Sequence, residues 1–253
     1  MIDSHCYIIK RYTLKDFKAG EILYFDKPLE WTSFQLVAKV RHTICRTIGV
    51  KKLKVGHAGT LDPLATGVMI LCTGKATKRI EEFQYQTKEY VATLKLGATT
   101  PSFDLEKPID ATYPTEHITE YMVREILKKF LGRIEQVPPA FSAVMVDGKR
   151  AYELARKGEE VTLKPKVLVI DEIELTRCEL DKQEIEIRVV CSKGTYIRAL
   201  ARDIGEALDS GAHLTSLRRT RVGDVREKDL MNPLDFPEWI KHQEIVMEEK
   251  NNY

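Results

Sequence analysis

The sequence predicts an α/β fold in a single domain, and three hydrophobic patterns carry that prediction. Residues 68–72 form an uninterrupted apolar run, which is typical of a strand buried in a core. Between residues 90 and 96, apolar and polar residues alternate, as they do in a strand with one buried face. Residues 197–208 carry apolar side chains at helical spacing. A chain of 253 residues is long enough to bury a sizeable core.

The N-terminal part of the chain predicts one strand and one helix. Residues 1–19 are mixed and polar, and no element is predicted there, whereas residues 22–25 are apolar and predict a buried strand. A helix follows, capped by Ser33 and ended by Gly49. Its predicted apolar face consists of Phe34, Val37, Ile44 and Ile48.

The middle of the chain contains a further helix and a segment without regular periodicity. Thr119 is predicted to begin the helix and Gly132 to end it. The Pro138-Pro139 pair then interrupts regular structure inside residues 133–166, which we interpret as an insertion.

The C-terminal third returns to regular structure. Strands are predicted over residues 167–176 and 184–191. On the helix that follows, Arg198 and Arg202 lie one turn apart, on the side opposite the apolar face. Residues 232–253 are predicted to form a short tail, a helix followed by a polar end. Residues 1–253 therefore read as one domain with an embedded insertion.

The composition is that of a soluble globular protein, with 43% hydrophobic and 31% charged residues. No apolar run approaches the roughly 20 residues of a membrane span, and no signal-peptide pattern opens the chain. The five cysteines are scattered and do not have the spacing of a metal site. We therefore expect a protein of the reducing cytoplasm that has no metal and no membrane contact.

The positive charges are clustered, although the net charge is only +2. One stretch, from residue 39 to residue 61, contains six Lys or Arg residues and no Asp or Glu. Lys149 and Arg150 belong to another cluster, inside the insertion. Each cluster alone is typical of a solvated face, but together they indicate a surface that binds phosphates.

The segment over residues 56–67 contains an isolated carboxylate in a glycine-rich turn. Pro63 disfavours a helical backbone at Asp62, so the Asp62 side chain is expected to project from an extended or turn conformation. Asp-Pro and Gly are also ordinary turn residues. The complete segment, however, resembles the active-site motif of the TruB family, the tRNA pseudouridine-55 synthases.

Further motifs of that family follow in the expected order over roughly residues 20–225. They are Asp26-Lys27-Pro28, Lys88-Glu89-Tyr90, residues 139–143 and 148–156, Ser192 to Arg198, and residues 211–214. The resemblance implies the pseudouridine-synthase fold, a mixed and mainly antiparallel sheet flanked by helices. It also implies that residues 133–166 grip RNA.

The resemblance assigns roles to eight residues. Asp62 matches the catalytic nucleophile, Arg198 the arginine that pairs with it, and Tyr90 the tyrosine that stacks on the flipped base and takes a proton. His57 matches the residue that fills the space left by that base, and the glycines around it predict an exposed tip. The remaining matches are Tyr196 in the pocket, Lys27 as a support for the catalytic loop, and Lys149 and Arg150 in the RNA-binding insertion.

The implied reaction isomerises uridine 55 in the T loop of tRNA to pseudouridine. It is redox-neutral, which agrees with the lack of nucleotide, flavin or metal motifs in the sequence, so we expect no cofactor. The expected partner is the tRNA T arm, bound by a monomer without a guide RNA. Three alternatives remain: a non-catalytic tRNA-binding or folding protein on the same scaffold, a guide-dependent synthase, and a glycosidase, which usually needs two paired acids.

The sequence departs from the family pattern at several places. Glu30 stands where the N-terminal motif usually has glycine, and Met145 where the insertion usually has lysine. Many relatives carry a C-terminal RNA-binding domain of the PUA type. The residues after Asn232 are too few to form one, so no PUA domain is expected.

Overall fold

The computed structural model describes residues 14–142, 144–146, 148–159 and 161–247. The strands are β1 (Ile22–Lys27), β2 (Val55–His57), β3 (Ala65–Thr73), β4 (Lys88–Leu96), β5 (Ala98–Thr99), β6 (Ala111–Thr112), β7 (Gly132–Gln136), β8 (Met145–Val146), β9 (Lys149–Arg150), β10 (Lys166–Glu179), β11 (Glu184–Cys191), β12 (Ala212–Val222) and β13 (Val225–Arg226). The helices are α1 (Ser33–Thr47), α2 (Ile80–Tyr85), α3 (Glu120–Lys129), α4 (Ala151–Arg156), α5 (Ile197–Ala207) and α6 (Phe236–Trp239).

One mixed sheet organises the fold. Within the described residues it has nine strands, seven of them in the order β1-β3-β12-β4-β11-β10-β7, while β2 pairs with β3 and β13 with β12. β12 runs parallel to β3, and the other pairings are antiparallel. The predicted fold class, a mixed and mainly antiparallel sheet flanked by helices, is confirmed.

Helix α1 differs in two details from its prediction. Thr32, rather than Ser33, is the N-cap: its side chain accepts a hydrogen bond from the Gln35 amide, and the Gln35 side chain accepts one from the Thr32 amide. Phe34 is 69% exposed, so its place on the apolar face was wrong. Because Ser33 is buried and successive helical residues turn by about 100°, the next residue points away from the core.

Helix α5 confirms its predicted apolar face, since Ile197, Leu200, Ala201 and Ile204 are all buried. Arg198, on the side opposite that apolar face, is buried as well. Helix α5 is therefore buried on more than its apolar face. A buried arginine needs polar partners.

The other elements largely follow the sequence patterns. β4 alternates between buried and half-buried residues, and Thr119 caps α3 through the Met122 amide. Gly132 opens β7 instead of ending α3, and β7 pairs with β10 at the edge of the sheet. Residues 133–136 of the predicted insertion therefore lie in the main sheet.

The C-terminal tail packs onto the N-terminal strand. The Phe236 ring meets the Phe25 ring edge to face, with centroids 5.3 Å apart, and a 3₁₀ helix (Ile240–His242) follows α6. Residues 248–253 of the predicted polar end lie outside the described residues. No helix in the described part of the chain is long and apolar enough to cross a membrane.

Candidate active site

The loop between β2 and β3 carries Asp62 and is fixed to helix α1 by a buried serine. The Ser33 hydroxyl accepts a hydrogen bond from the Leu61 amide and donates one to the Leu61 carbonyl, both at 2.9 Å. The start of α1 thereby holds the residue next to Asp62.

Lys27 supports the other end of this loop from beneath. Its side chain is fully buried, and Nζ donates to the carbonyl oxygens of Pro28 (2.7 Å), Trp31 (2.6 Å) and Pro63 (3.3 Å). Burial lowers the pKa of the Lys27 ammonium to about 8, while the negative charge of Asp62 acts in the opposite direction. These contacts agree with the predicted support of the loop.

Arg198 holds the Asp62 carboxylate on two sides. Nη2 donates to Asp62 Oδ1 at 3.2 Å, and Nε lies 2.9 Å from Oδ2 without the alignment of a hydrogen bond. The arginine side chain is 5% exposed and that of Asp62 is 35% exposed, so the carboxylate faces an opening while its partner is buried. The pair therefore holds a carboxylate that can be reached from the opening against a buried guanidinium.

The same guanidinium gathers two further segments of the chain. Nη1 donates to the Ser102 carbonyl at 3.2 Å and Nη2 to the Phe141 carbonyl at 2.9 Å. The buried Asp104 carboxylate lies 3.8 Å from Nε. Arg198 therefore connects Asp62 to the loop before β6 and to the start of the segment that leads into β8.

Four predicted site residues line one cavity of about 260 Å³. They are Asp62, Tyr90, Tyr196 and Arg198. Gly59, Gln84, Lys88, Ser142 and Arg219 are also in its wall. A smaller cavity of about 120 Å³ shares Asp62 and Arg198 and is otherwise lined mainly by leucines.

The two tyrosines of this cavity have hydroxyls that stay protonated at neutral pH. Burial raises the pKa of Tyr90, and the Arg219 guanidinium opposes that rise. Burial likewise raises the pKa of Tyr196, whose backbone N–H and C=O are both held by the Gln136 side chain. Tyr90 is buried, as the alternation of apolar and polar residues along β4 predicts, and it also borders the cavity.

His57 does not form the exposed tip that its flanking glycines suggested. It is half-buried in β2, where it pairs with Leu71, and it is absent from the described lining of the cavity. Burial lowers the pKa of the imidazole, with Arg219 acting in the same direction. Gly56 serves close packing rather than a flexible tip, since a Cβ there would lie 2.7 Å from the Ile80 side chain.

Lys149 and Arg150 lie apart from the cavity. Both are exposed on β9, which pairs with β8 in a two-stranded hairpin. The hairpin leads into α4, and the Tyr152 amide donates to the Ser142 carbonyl beside the cavity. Of the predicted residues, the structure brings together Asp62, Tyr90, Tyr196 and Arg198, places Lys27 beneath the loop, and leaves the other three outside the cavity wall.

Arg219 is a site residue that the sequence reasoning missed. It is fully buried, and its guanidinium donates to the carbonyls of Val68 (2.8 Å), Gly59 (3.2 Å) and Thr60 (3.4 Å). In the sequence it belongs to a cluster with Arg218 and Arg221, and such a cluster alone is typical of a solvated face. Strand alternation on β12 could have found it, because Arg218 and Arg219 must face opposite sides of the sheet.

Lys88, in the cavity wall, and Asp104, near Arg198, were also missed as buried charges. The alternation of β4 places Lys88 on the same face as Tyr90, which was an available signal. No cluster of His, Cys, Asp or Glu that could hold a metal ion occurs in the part of the chain that the structure describes.

Two family models cover most of the chain. The model of the TruB family pseudouridylate synthase N-terminal domain matches residues 46–197, more than half of the sequence. The chain belongs to the TruB family. The model of the tRNA pseudouridylate synthase B C-terminal domain matches residues 198–249. The two matches meet within α5, so Asp62 and its partner Arg198 fall on opposite sides of that boundary.

Bacterial TruB proteins resemble the chain over almost its whole length. The tRNA pseudouridine synthase B of Bacteroides thetaiotaomicron is 77% identical over 239 residues, which are 94% of this chain and 100% of that protein. That of Flavobacterium johnsoniae is 54% identical and covers 88% of this chain and 96% of its own. The chain is accordingly a pseudouridine synthase, an isomerase, and the expectation of an enzyme is confirmed over that of a non-catalytic protein.

Solved structures give the same fold. The crystal structure of a Cbf5-Nop10-Gar1 complex matches with a TM-score of 0.65 and 30% identity over 88% of this chain and 55% of that one. A structure of an H/ACA RNP bound to a substrate RNA containing 2'-deoxyuridine matches with a TM-score of 0.62 and 28% identity. The chain spans about half the length of those matched chains.

The structure shows the surroundings of Glu30 and Met145, two residues that depart from the TruB pattern. Glu30 has a φ of 65°, in the left-handed region that glycine adopts without strain, and its amide donates to the Pro63 carbonyl at 2.8 Å. The usual glycine therefore suits the backbone better than this glutamate. Met145 is exposed on β8 opposite Arg150, where a lysine would add a positive charge.

Proposed function

We propose that this TruB protein converts uridine 55 in the T loop of tRNA to pseudouridine, with Asp62 as nucleophile. The observation that carries the proposal is the Asp62 carboxylate at an open cavity, paired with a buried arginine and bordered by two tyrosines. The tRNA pseudouridine synthases that are 77% and 54% identical over 94% and 88% of the chain support tRNA as the substrate.

The cavity suits a uracil that has been flipped out of an RNA loop. Tyr90 offers the aromatic surface on which the base stacks, and such stacking is worth roughly 1–3 kcal/mol per base. Stacking offsets part of the few kcal/mol that extrusion costs. His57, half-buried beside the cavity, is proposed to fill the space that the base leaves.

The reaction breaks the bond between C1′ and N1, turns the uracil, and joins C1′ to C5. Atoms balance because the C5 proton leaves and N1 gains one, so no reductant or oxidant is required. Asp62 attacks the ribose or the base, and Arg198 holds its carboxylate in place for that attack. Tyr90 borders the cavity and is protonated at neutral pH, so it is proposed to relay the departing proton, giving up its own proton as it accepts the one from C5.

The proposal assigns RNA recognition to the catalytic domain and to the insertion over residues 133–166. Lys149 and Arg150, exposed on the β8–β9 hairpin, are proposed to contact phosphates of the T arm. The protein acts in the cytoplasm as a monomer and without a guide RNA. Binding should then weaken steeply as salt rises, because released counterions contribute to affinity.

The direct experiment is incubation of the purified protein with unmodified tRNA, followed by mapping of pseudouridine. Pseudouridine at position 55, and its absence from a tRNA with cytidine there, is the expected result. Modification only after a guide RNA is added would overturn the proposal in favour of a guide-dependent synthase. Binding of tRNA without any pseudouridine would favour a tRNA-folding role.

A second comparison tests the T arm as the recognised element. A T-arm hairpin should be nearly as good a substrate as intact tRNA, judged by kcat/KM. A tenfold lower value for the hairpin would correspond to about 1.4 kcal/mol of lost transition-state binding. Contacts beyond the T arm would then have to be added to the proposal.

A further inference from the structure

The rim of the catalytic cavity carries an exposed aromatic side chain that the reaction does not use. Tyr85, the last residue of α2, is 65% exposed. Its neighbour Gln84 is in the cavity wall, as are Lys88 and Lys193. Single exposed aromatic residues are common on protein surfaces, so two further observations are needed to define a site.

The first observation is a cation on the tyrosine ring. The Lys193 ammonium lies 3.8 Å from the centroid of the Tyr85 ring, within the range of a cation–π contact. Among the residues that the structure describes, this ammonium has no carboxylate partner. A positive charge over one face of an aromatic ring at the cavity edge is thus available to a phosphate.

The second observation is a buried lysine that fixes the backbone on both sides of Tyr85. The Lys88 ammonium donates to the carbonyl of Gln84 at 2.6 Å and also to that of Gln86, the two neighbours of the tyrosine. The Gln86 amide in turn donates to the Phe83 carbonyl. Tyr85 is therefore presented from a fixed turn, which keeps low the entropy lost when a ligand binds.

We propose that Tyr85 and Lys193 form a binding site for a nucleotide adjacent to the flipped uridine. Its base stacks on the face of the Tyr85 ring opposite the Lys193 ammonium, and its phosphate contacts Lys193. Flipping a uridine deprives its neighbours of a stacking partner, and an aromatic ring replaces that partner for any base. The inference depends on the proposed function, because it requires an RNA loop in the cavity.

The test compares four proteins for hairpin affinity and kcat/KM: wild type, Tyr85→Ala, Tyr85→Phe and Tyr121→Ala. Tyr121 is a matched control, because it is 73% exposed on α3 and is not in the described cavity wall. Tyr85→Ala should weaken hairpin binding about tenfold, which is about 1.4 kcal/mol. Tyr85→Phe keeps the ring and should stay within twofold of wild type, as should Tyr121→Ala.

Abasic substrates identify the nucleobase. Two hairpins lack the base immediately before or immediately after the target uridine. The wild type should bind one of these two hairpins about tenfold more weakly than the intact hairpin. Tyr85→Ala should bind that abasic hairpin and the intact hairpin equally well. The proposed site would be refuted if the missing base lowered hairpin affinity equally in both proteins, or if Tyr85→Ala bound the intact hairpin as tightly as the wild type.

The wild-type reaction with tRNA, run alongside, separates the two proposals. If the wild type forms no pseudouridine in tRNA, the proposed function fails. If the wild type forms pseudouridine in tRNA and Tyr85→Ala binds and reacts as the wild type does, only the Tyr85–Lys193 site fails.

Discussion

Replacing Arg198 with methionine should both destabilise the protein and stop turnover. The substitution removes a buried guanidinium that contacts Asp62, two backbone carbonyls and, more distantly, Asp104. Removal of one partner from a buried ion pair costs about 3–5 kcal/mol. The partly exposed Asp62 can regain water, so most of the cost falls on the buried Asp104 and the two carbonyls. We expect a loss of about 4 kcal/mol.

Urea denaturation measures this loss, and Arg202→Met is the matched control. Arg202 lies one turn further along α5, donates to the Val137 carbonyl and pairs with Asp203. Because its ion pair is partly exposed, Arg202→Met should cost only about 1 kcal/mol. In the Arg198→Met background, Asp104→Asn should recover about 2 kcal/mol, because it removes the buried charge that has lost its partner.

Activity should separate from stability in the same set of proteins. Arg198→Met is expected to lose at least about a hundredfold in single-turnover rate, because Asp62 is no longer held in place. Asp104→Asn in that background should restore stability without restoring the rate. If Arg198→Met is no less stable than Arg202→Met, or if it keeps the wild-type rate, the reasoning about this guanidinium is refuted.

Three further predictions concern single residues. Tyr90→Phe should bind the hairpin within a few-fold of wild type yet turn over slowly, since it keeps the stacking face and loses the hydroxyl; an unchanged single-turnover rate would make Tyr90 a stacking surface only. Glu30→Gly should raise the free energy of unfolding by about 1 kcal/mol, because it relieves a left-handed backbone, and a lower value in urea denaturation would contradict this. Folded Lys27 has a pKa of about 8 against an ordinary 10.5, so between these values the unfolded chain binds more protons and stability rises with pH. Lys27→Met should lose that contribution to the rise, up to about 3 kcal/mol, and an identical pH dependence in variant and wild type would contradict it.

Local patterns predicted the scaffold of the site better than its buried charges. The alternation of β4 located Tyr90 correctly, and helical spacing located α5, because both patterns reflect burial of apolar faces. The same rule failed for Arg198 and Arg219, since it assigns charged residues to solvent. Their burial is compensated by carbonyls and carboxylates from segments distant in sequence, which no local pattern reveals.

Backbone detail was the other part that the sequence could not supply. The glycines around His57 indicated an exposed turn, but pairing of β2 with β3 and close packing against Ile80 explain Gly56 instead. The positive φ of Glu30 follows from the path of the chain into α1, where its amide reaches the Pro63 carbonyl. The glycine usual in the family motif was the only sequence signal of that conformation.

The measurement that tests the central proposal most directly is pseudouridine formation by Asp62→Asn. The change is nearly isosteric, removes the proposed nucleophile and leaves the basic surface and the cavity in place. We expect hairpin affinity within a few-fold of wild type, with no pseudouridine formed by the pure variant even at high enzyme concentration. Pseudouridine formation by that variant at a measurable rate would contradict the assignment of Asp62.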